Sequence, residues 1–123
     1  MKKSALILFA HGARDMRWAA PFQRLQKMTQ EGLPDVQVEL AFLEFMSPNL
    51  PELIDQLVEQ GTNKVIVSPI FLGQGGHVLR DLPEMAVQIN SKYPALDFSV
   101  ATAVGEEVSV LNAIRDHCMA LVA

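Results

Sequence analysis

The sequence predicts an open α/β sheet of four parallel strands, wound with helices on both faces. Two observations carry this. Four apolar runs recur at 4–10, 36–43, 64–71 and 97–104, and they are near-continuous rather than strictly alternating, the pattern of strands buried on both faces. Segments with helical spacing separate the runs and follow the last one. The order is therefore β-α-β-α-β-α-β-α, and strands joined through helices run parallel with right-handed crossovers. For so few strands the expected order is 2-1-3-4, a flavodoxin-like doubly wound sheet. No internal repeat, low-complexity tract or linker interrupts the 123 residues, so one domain is expected over 1–123.

Each element has its own signal. SALILFA, 4–10, is the first strand. Residues 17–31 follow with Trp18, Phe22, Leu25 and Met28 or Thr29 on one stripe, ended by Gly32 and Pro34. VQVELAFL, 36–43, is the second strand. In SPNLPELIDQLVEQG, Asn49 and Glu52 have capping-box spacing and Pro51 fits the first turn. Leu50, Leu53, Ile54, Leu57 and Val58 form the stripe of that helix, and Gly61 stops it. KVIVSPIF, 64–71, is the third strand, ending near Pro69. After the glycine-rich GQGGH loop, a third helix is expected over roughly 82–92, opened by Asp81 and Glu84. DFSVATAV, 97–104, is the fourth strand. A last helix spans 107–122, with Val108, Leu111, Ile114 or Arg115, Cys118 and Leu121 in register; Cys118 reads as a core residue.

Composition removes several classes of function. Half the residues are apolar and a fifth charged, a globular balance. The net charge is −4, with ten Lys and Arg spread along the chain, so neither nucleic acid nor an anionic membrane surface is an expected partner. The single cysteine excludes an intrachain disulfide and a Cys-only metal site. The run 5–10 is short for a signal sequence and is followed at once by His11 and Arg14, and nothing approaches the ~20 apolar residues of a membrane span. The expected location is the cytoplasm. FLGQGGHV has neither the G-x-G-x-x-G pattern nor a P-loop lysine, so no nucleotide motif is present and no organic cofactor is expected.

The chemistry belongs at the carboxyl ends of the strands, where connections diverge to opposite faces. His11 follows the first strand, Glu44 the second, His77 lies in the loop after the third, and Glu106 follows the fourth. Alone, either histidine is an ordinary loop residue, and Glu44 a solvated carboxylate. Together they make a set of imidazoles and a carboxylate suited to a first-row divalent metal with positions left open, and either histidine also suits a base. His117, late in the last helix, reads as structural, and Glu39 falls inside a strand. Arg14, Arg17 and Arg80 lie near the same edge and suit ligand carboxylates, or merely pair with Asp15 and Asp81. Gly75 and Gly76 imply a close backbone approach or a tight turn. Phe45, Met46 and Leu72 could floor an apolar slot for a flat ring.

HGARD at 11–15, AFLEFMSPNLPE at 41–52 and SPIFLGQGGHVLRDLP at 68–83 together resemble the small CbiX-type sirohydrochlorin cobaltochelatases, among the class II chelatases that include the siroheme ferrochelatase SirB. The third segment is the most specific, and the similarity covers about two-thirds of the chain. The resemblance implies that His11 and His77 are the metal-site histidines with Glu44 as their acidic partner, acting as both metal-binding and catalytic residues. It further implies a half-unit working as a homodimer, sirohydrochlorin as substrate and cobalt as the ion inserted, with iron and nickel inserters in the same family. Many relatives have Ser where this chain has Ala13, so a hydroxyl there is dispensable here. A non-catalytic metal or tetrapyrrole carrier would use the same ligands. A receiver-like domain of this architecture would need an aspartate at the end of the third strand, where Ser68-Pro69-Ile70 stands.

Overall fold

The four apolar runs become four parallel strands in the computed structural model, which describes residues 3–73 and 75–123, with 76–79 described by their backbone alone. The strands are β1 (Ser4–Ala10), β2 (Gln37–Phe42), β3 (Lys64–Pro69) and β4 (Asp97–Val100), in the expected order β2-β1-β3-β4. The helices are α1 (Ala20–Gly32), α2 (Leu50–Glu59), α3 (Gly76–Lys92) and α4 (Val108–Ala120), with short 3-10 turns at Met16–Ala19 and Val104–Glu106. All pairings are parallel, with Leu6 facing Val38 on one side and Ile66 on the other.

Strand alternation divides the interior into two cores. Ile7, Phe9, Val65 and Val67 point to one face and meet Leu50, Leu53, Ile54 and Leu57 of α2, with Leu82 and Ile89 of α3. Leu8, Ala10, Val38, Leu40 and Phe42 point to the other face and are covered by Trp18, Phe22 and Leu25. Along α1 the stripe turns to Thr29, whose hydroxyl donates to the Leu25 carbonyl at 2.8 Å, while Met28 is exposed. α2 opens as expected. The Asn49 side chain accepts from the Glu52 N–H at 2.9 Å, and its amide donates to the Glu52 carboxylate at 3.1 Å. Asn49→Ala is expected to cost about 1 kcal/mol of stability in a urea melt.

An exposed cluster ties α2 to the end of α3. Lys92 donates to Asp55 at 3.0 Å, and the Tyr93 hydroxyl donates to the same carboxylate. These hydrogen bonds, from Tyr93 first and Lys92 second, hold the Asp55 carboxyl below its ordinary range. The linked stability is present above the ordinary aspartate range and is lost as the pH falls through the lowered value.

Three expectations change. α3 begins at Gly76 rather than near 82, so Asp81 and Glu84 do not form an opening cap, and Pro83 lies inside the helix, where it removes one ladder bond. β4 stops at Val100: Ala101 makes the last ladder bond, to the Val67 carbonyl at 2.8 Å, and the chain then turns through Ala103 into the second 3-10 turn. Cys118 is not a core residue. It is exposed, and no residue of α4 is buried. That turn is itself pinned. The Gly105 N–H donates to the Phe71 carbonyl at 2.9 Å, and a Cβ at Gly105 would stand 1.9 Å from the Leu72 oxygen.

Candidate functional site

The parallel ladder between β1 and β2 continues past both strands and sets the site. Leu43 donates to the Ala10 carbonyl at 2.9 Å and Glu44 to the His11 carbonyl at 3.1 Å. Gly12 then turns with φ +94°. A Cβ there would lie 1.8 Å from the Glu44 carbonyl oxygen, so only glycine lets the two segments approach this closely. The result brings side chains 33 positions apart together: His11 Nε2 lies 3.0 Å from Glu44 Oε1. Both side chains stay part-exposed, at 45% and 36%. Beneath them the buried Phe71 ring stands edge-on to the His11 ring, with centroids 6.3 Å apart, and packs edge-on against Phe9. A rigid apolar floor thus fixes the imidazole, while its outer side faces solvent.

Around this pair stand cationic and apolar groups. Phe45, directly after Glu44, has φ 67°, an uncommon region for a bulky residue, and the residue is 57% exposed. The Arg14 guanidinium lies over that ring, 5.0 Å from its centroid. Leu72 is exposed as well, while Met46 packs toward the second core. Arg17 is engaged with Asp15, donating Nη2 to the carboxylate at 2.7 Å. Its hydrogen bonds hold the Asp15 carboxyl below, and the Arg17 guanidinium above, their ordinary ranges. Arg80 reaches Asp81 only at 3.5 Å and is exposed. Of the three arginines, Arg14 and Arg80 are therefore the better placed for a ligand.

His77 lies in the first turn of α3 rather than in the preceding loop. That helix follows β3 and so opens at the same carboxyl edge; β3 continues beside β1 there, with Ile70 donating to the Phe9 carbonyl at 2.8 Å. The side chain of His77 lies outside the described residues, and Gly76 is described by its backbone alone. Gly75 is the extended residue before the helix, and a Cβ on it would meet nothing within 4 Å, so no close approach within the described residues requires glycine there. Glu106 is exposed at the end of the second 3-10 turn. Among the described residues, no group of three His, Cys, Asp or Glu side chains is close enough to hold a metal ion.

The His11–Glu44 spacing has chemical content. A proton on Nε2 bridges it as drawn, and the imidazole then offers its other nitrogen. A divalent ion can replace that proton. Two ligand atoms ~2.1 Å from a metal and at right angles to each other are about 3.0 Å apart. The separation thus suits either a shared proton or, once the imidazole turns its nitrogen toward it, an ion. His11 and Glu44 each follow a strand, so their meeting is legible from the strand ends. The left-handed Phe45 and the pinned Gly105 are not, since neither has a distinguishing neighbour in sequence.

The fold and site define a doubly wound α/β unit with a histidine–carboxylate pair at its switch point, open to a ligand rather than closed as a structural centre. The CbiX family model matches residues 5–120, and the chain belongs to that family. A sirohydrochlorin cobaltochelatase of Methanococcus aeolicus is 31% identical over 87 residues, covering 66% of this chain and 57% of the relative. The chloroplastic sirohydrochlorin ferrochelatase of Arabidopsis thaliana is 26% identical over 117 residues, covering 93% of this chain and 52% of the relative. The chain thus spans little more than half the length of these two relatives. A solved structure described as a cobalamin (vitamin B12) biosynthesis CbiX protein from Marinobacter aquaeolei superposes with a TM-score of 0.84 at 28% identity, covering 97% of each chain.

Proposed function

We propose that the chain inserts a divalent metal ion into sirohydrochlorin, with cobalt as the ion for the cobalamin pathway and an iron or nickel chelatase of the same family as the alternative. The observation that carries this reading is the His11–Glu44 pair at 3.0 Å, part-exposed on a rigid floor and flanked by an exposed aromatic ring and arginines. Family membership and relatives named for cobalt and for iron support the reaction class and leave the metal open. Insertion exchanges two pyrrole N–H protons for one ion, which must also shed water. In this reading His11 and His77 hold the ion above the ring and Glu44 assists. As the ion passes to the pyrrole nitrogens, one departing proton goes to the vacated His11–Glu44 pair and the other to His77. Arg14 and Arg80 orient the ring carboxylates, with Gly75 and Gly76 leaving room for the macrocycle. The working unit is a homodimer in the cytoplasm, without nucleic acid or membrane as partner. No helix among the described residues is long and apolar enough to cross a membrane.

The test is spectroscopic. The protein is mixed with sirohydrochlorin and cobalt(II), nickel(II) or iron(II), and the ring absorption is followed against an enzyme-free control. Acceleration with at least one ion is expected, and its ranking sets the metal. Tight ring or ion binding without acceleration would replace the chelatase by a carrier.

Phe45 gives a second check. Phe45→Gly relieves a left-handed residue by ~1–2 kcal/mol, offset by about 0.5–1 kcal/mol of chain entropy and ~0.5 kcal/mol of cation–π contact. Stability is therefore expected to hold, although a benzyl group is removed. If the ring stacks on Phe45, KM for the tetrapyrrole rises roughly three- to tenfold.

A further inference from the structure

The backbone crossing that sets the His11–Glu44 pair brings a second pair together. Gly12 stands against the Glu44 carbonyl, so Arg14 and Phe45, which follow on either side, belong to two segments held at one place. There the Arg14 guanidinium lies over the Phe45 ring, 5.0 Å from its centroid. Neither residue gains much for the fold. Phe45 has φ 67°, costly for a bulky side chain, and at 57% exposure it recovers little through burial. Its neighbours keep it there: the Glu44 N–H is bonded to the His11 carbonyl, and Met46 packs against the second core. Backbone strain of this kind collects at ligand sites. Arg14 is exposed as well. Arg17 and Arg80 each reach a carboxylate, of Asp15 and Asp81, whereas Arg14 reaches none among the described residues. Its partner is an aromatic face, a weak contact at an exposed site.

We propose that Arg14 guards the face of Phe45, and that the two together set which macrocycles the chain accepts. In the free protein the guanidinium lies on the ring. A carboxylate at the rim of an arriving macrocycle draws it off, because a charge-assisted, two-pronged hydrogen bond is stronger than the contact over the ring. The Phe45 face is then open to stack on the flat macrocycle. Carboxylate pairing and stacking therefore occur together. A macrocycle without rim carboxylates must displace Arg14 and gains no ion pair by doing so. Arg14 reads the charge of the rim, Phe45 the flatness of the ring, and neither contact forms fully without the other. The inference rests on the proposed function for its ligand class, a carboxylate-bearing tetrapyrrole. It adds the coupling of the two contacts and does not depend on which ion is inserted.

Metal-free binding to the whole chain tests it, by fluorescence titration of two rings. One is uroporphyrin, with carboxylates around its rim. The other is the same ring with every carboxylate capped as the amide of a short ethylene-glycol amine, flat but uncharged. The wild type is expected to bind uroporphyrin more tightly than the capped ring. Arg14→Gln is expected to weaken uroporphyrin binding about tenfold, the loss of a charged hydrogen bond at an exposed site. The same substitution is expected to tighten the capped ring about twofold, since the contact over Phe45 no longer has to be broken. In Phe45→Gly both rings bind more weakly, and adding Arg14→Gln no longer helps the capped ring. If Arg14→Gln leaves the capped ring unchanged or weakens it, the guard falls, and uroporphyrin alone then decides whether Arg14 pairs with carboxylates. If the gain persists in the Phe45→Gly background, charge rather than the ring face explains it, and the guard falls too. Failure of both rings to bind the wild type overturns the inference. Insertion into sirohydrochlorin, scored separately, then shows whether the tetrapyrrole reading falls with it.

Discussion

His11→Ala is expected to reduce metal insertion by at least ~100-fold, the range in which a positioned acid–base group contributes. Stability should change by less than about 0.5 kcal/mol, since the ring is part-exposed and leaves no buried group unpaired. The comparison that gives this meaning is with Glu44→Gln. The two side chains stand 3.0 Å apart and, in the proposed function, act on one proton or one ion, so their effects should not add: in the His11→Ala background, Glu44→Gln should cost little more. Turnover measured for both single variants and the double variant decides the matter. Near-wild-type turnover of His11→Ala would remove the pair from the reaction.

Gly12→Ala should act by a different route. The added methyl would stand 1.8 Å from the Glu44 carbonyl oxygen, and the backbone already lies at φ +94°. Neither a rotamer change nor a flexible neighbour can absorb that overlap, because the obstacle is backbone. The two strand extensions must separate, at an expected cost of roughly 2–4 kcal/mol. That is a large share of the ~5–15 kcal/mol that holds a domain folded. Urea melts read the loss of stability. Activity should fall in the fraction that remains folded, because the Glu44 N–H to His11 carbonyl bond that sets the pair is the first to break. Retained stability with lost activity would instead place the role of Gly12 in the ligand contact alone.

The sheet and half of this site were legible in the chain because both follow from strong, local regularities. Apolar runs marked the strands, the crossover rule ordered them, and the strand ends then placed His11 beside Glu44. What stayed hidden has physical reasons. The start of α3 was misplaced because Asp81, Pro83 and Glu84 have the composition of an opening turn, yet the rest of the helix carries a proline in its interior. The α4 pattern announces a stripe that needs covering, and periodicity says nothing about which surface covers it, so the spacing of Cys118 suggests core where the residue is exposed. Phe45 adopts a conformation usually left to glycine, and a phenylalanine in sequence gives no sign of that. Gly105 looks like any turn glycine until the Leu72 carbonyl is found against it.

That last contact has a mechanical consequence. Gly105 fuses the base of the tail helix to Leu72, which sits on the loop leading toward His77, with no side chain between the two backbones to absorb displacement. Any side chain at position 105 would have to part the tail from that loop, because the group it meets is the Leu72 backbone.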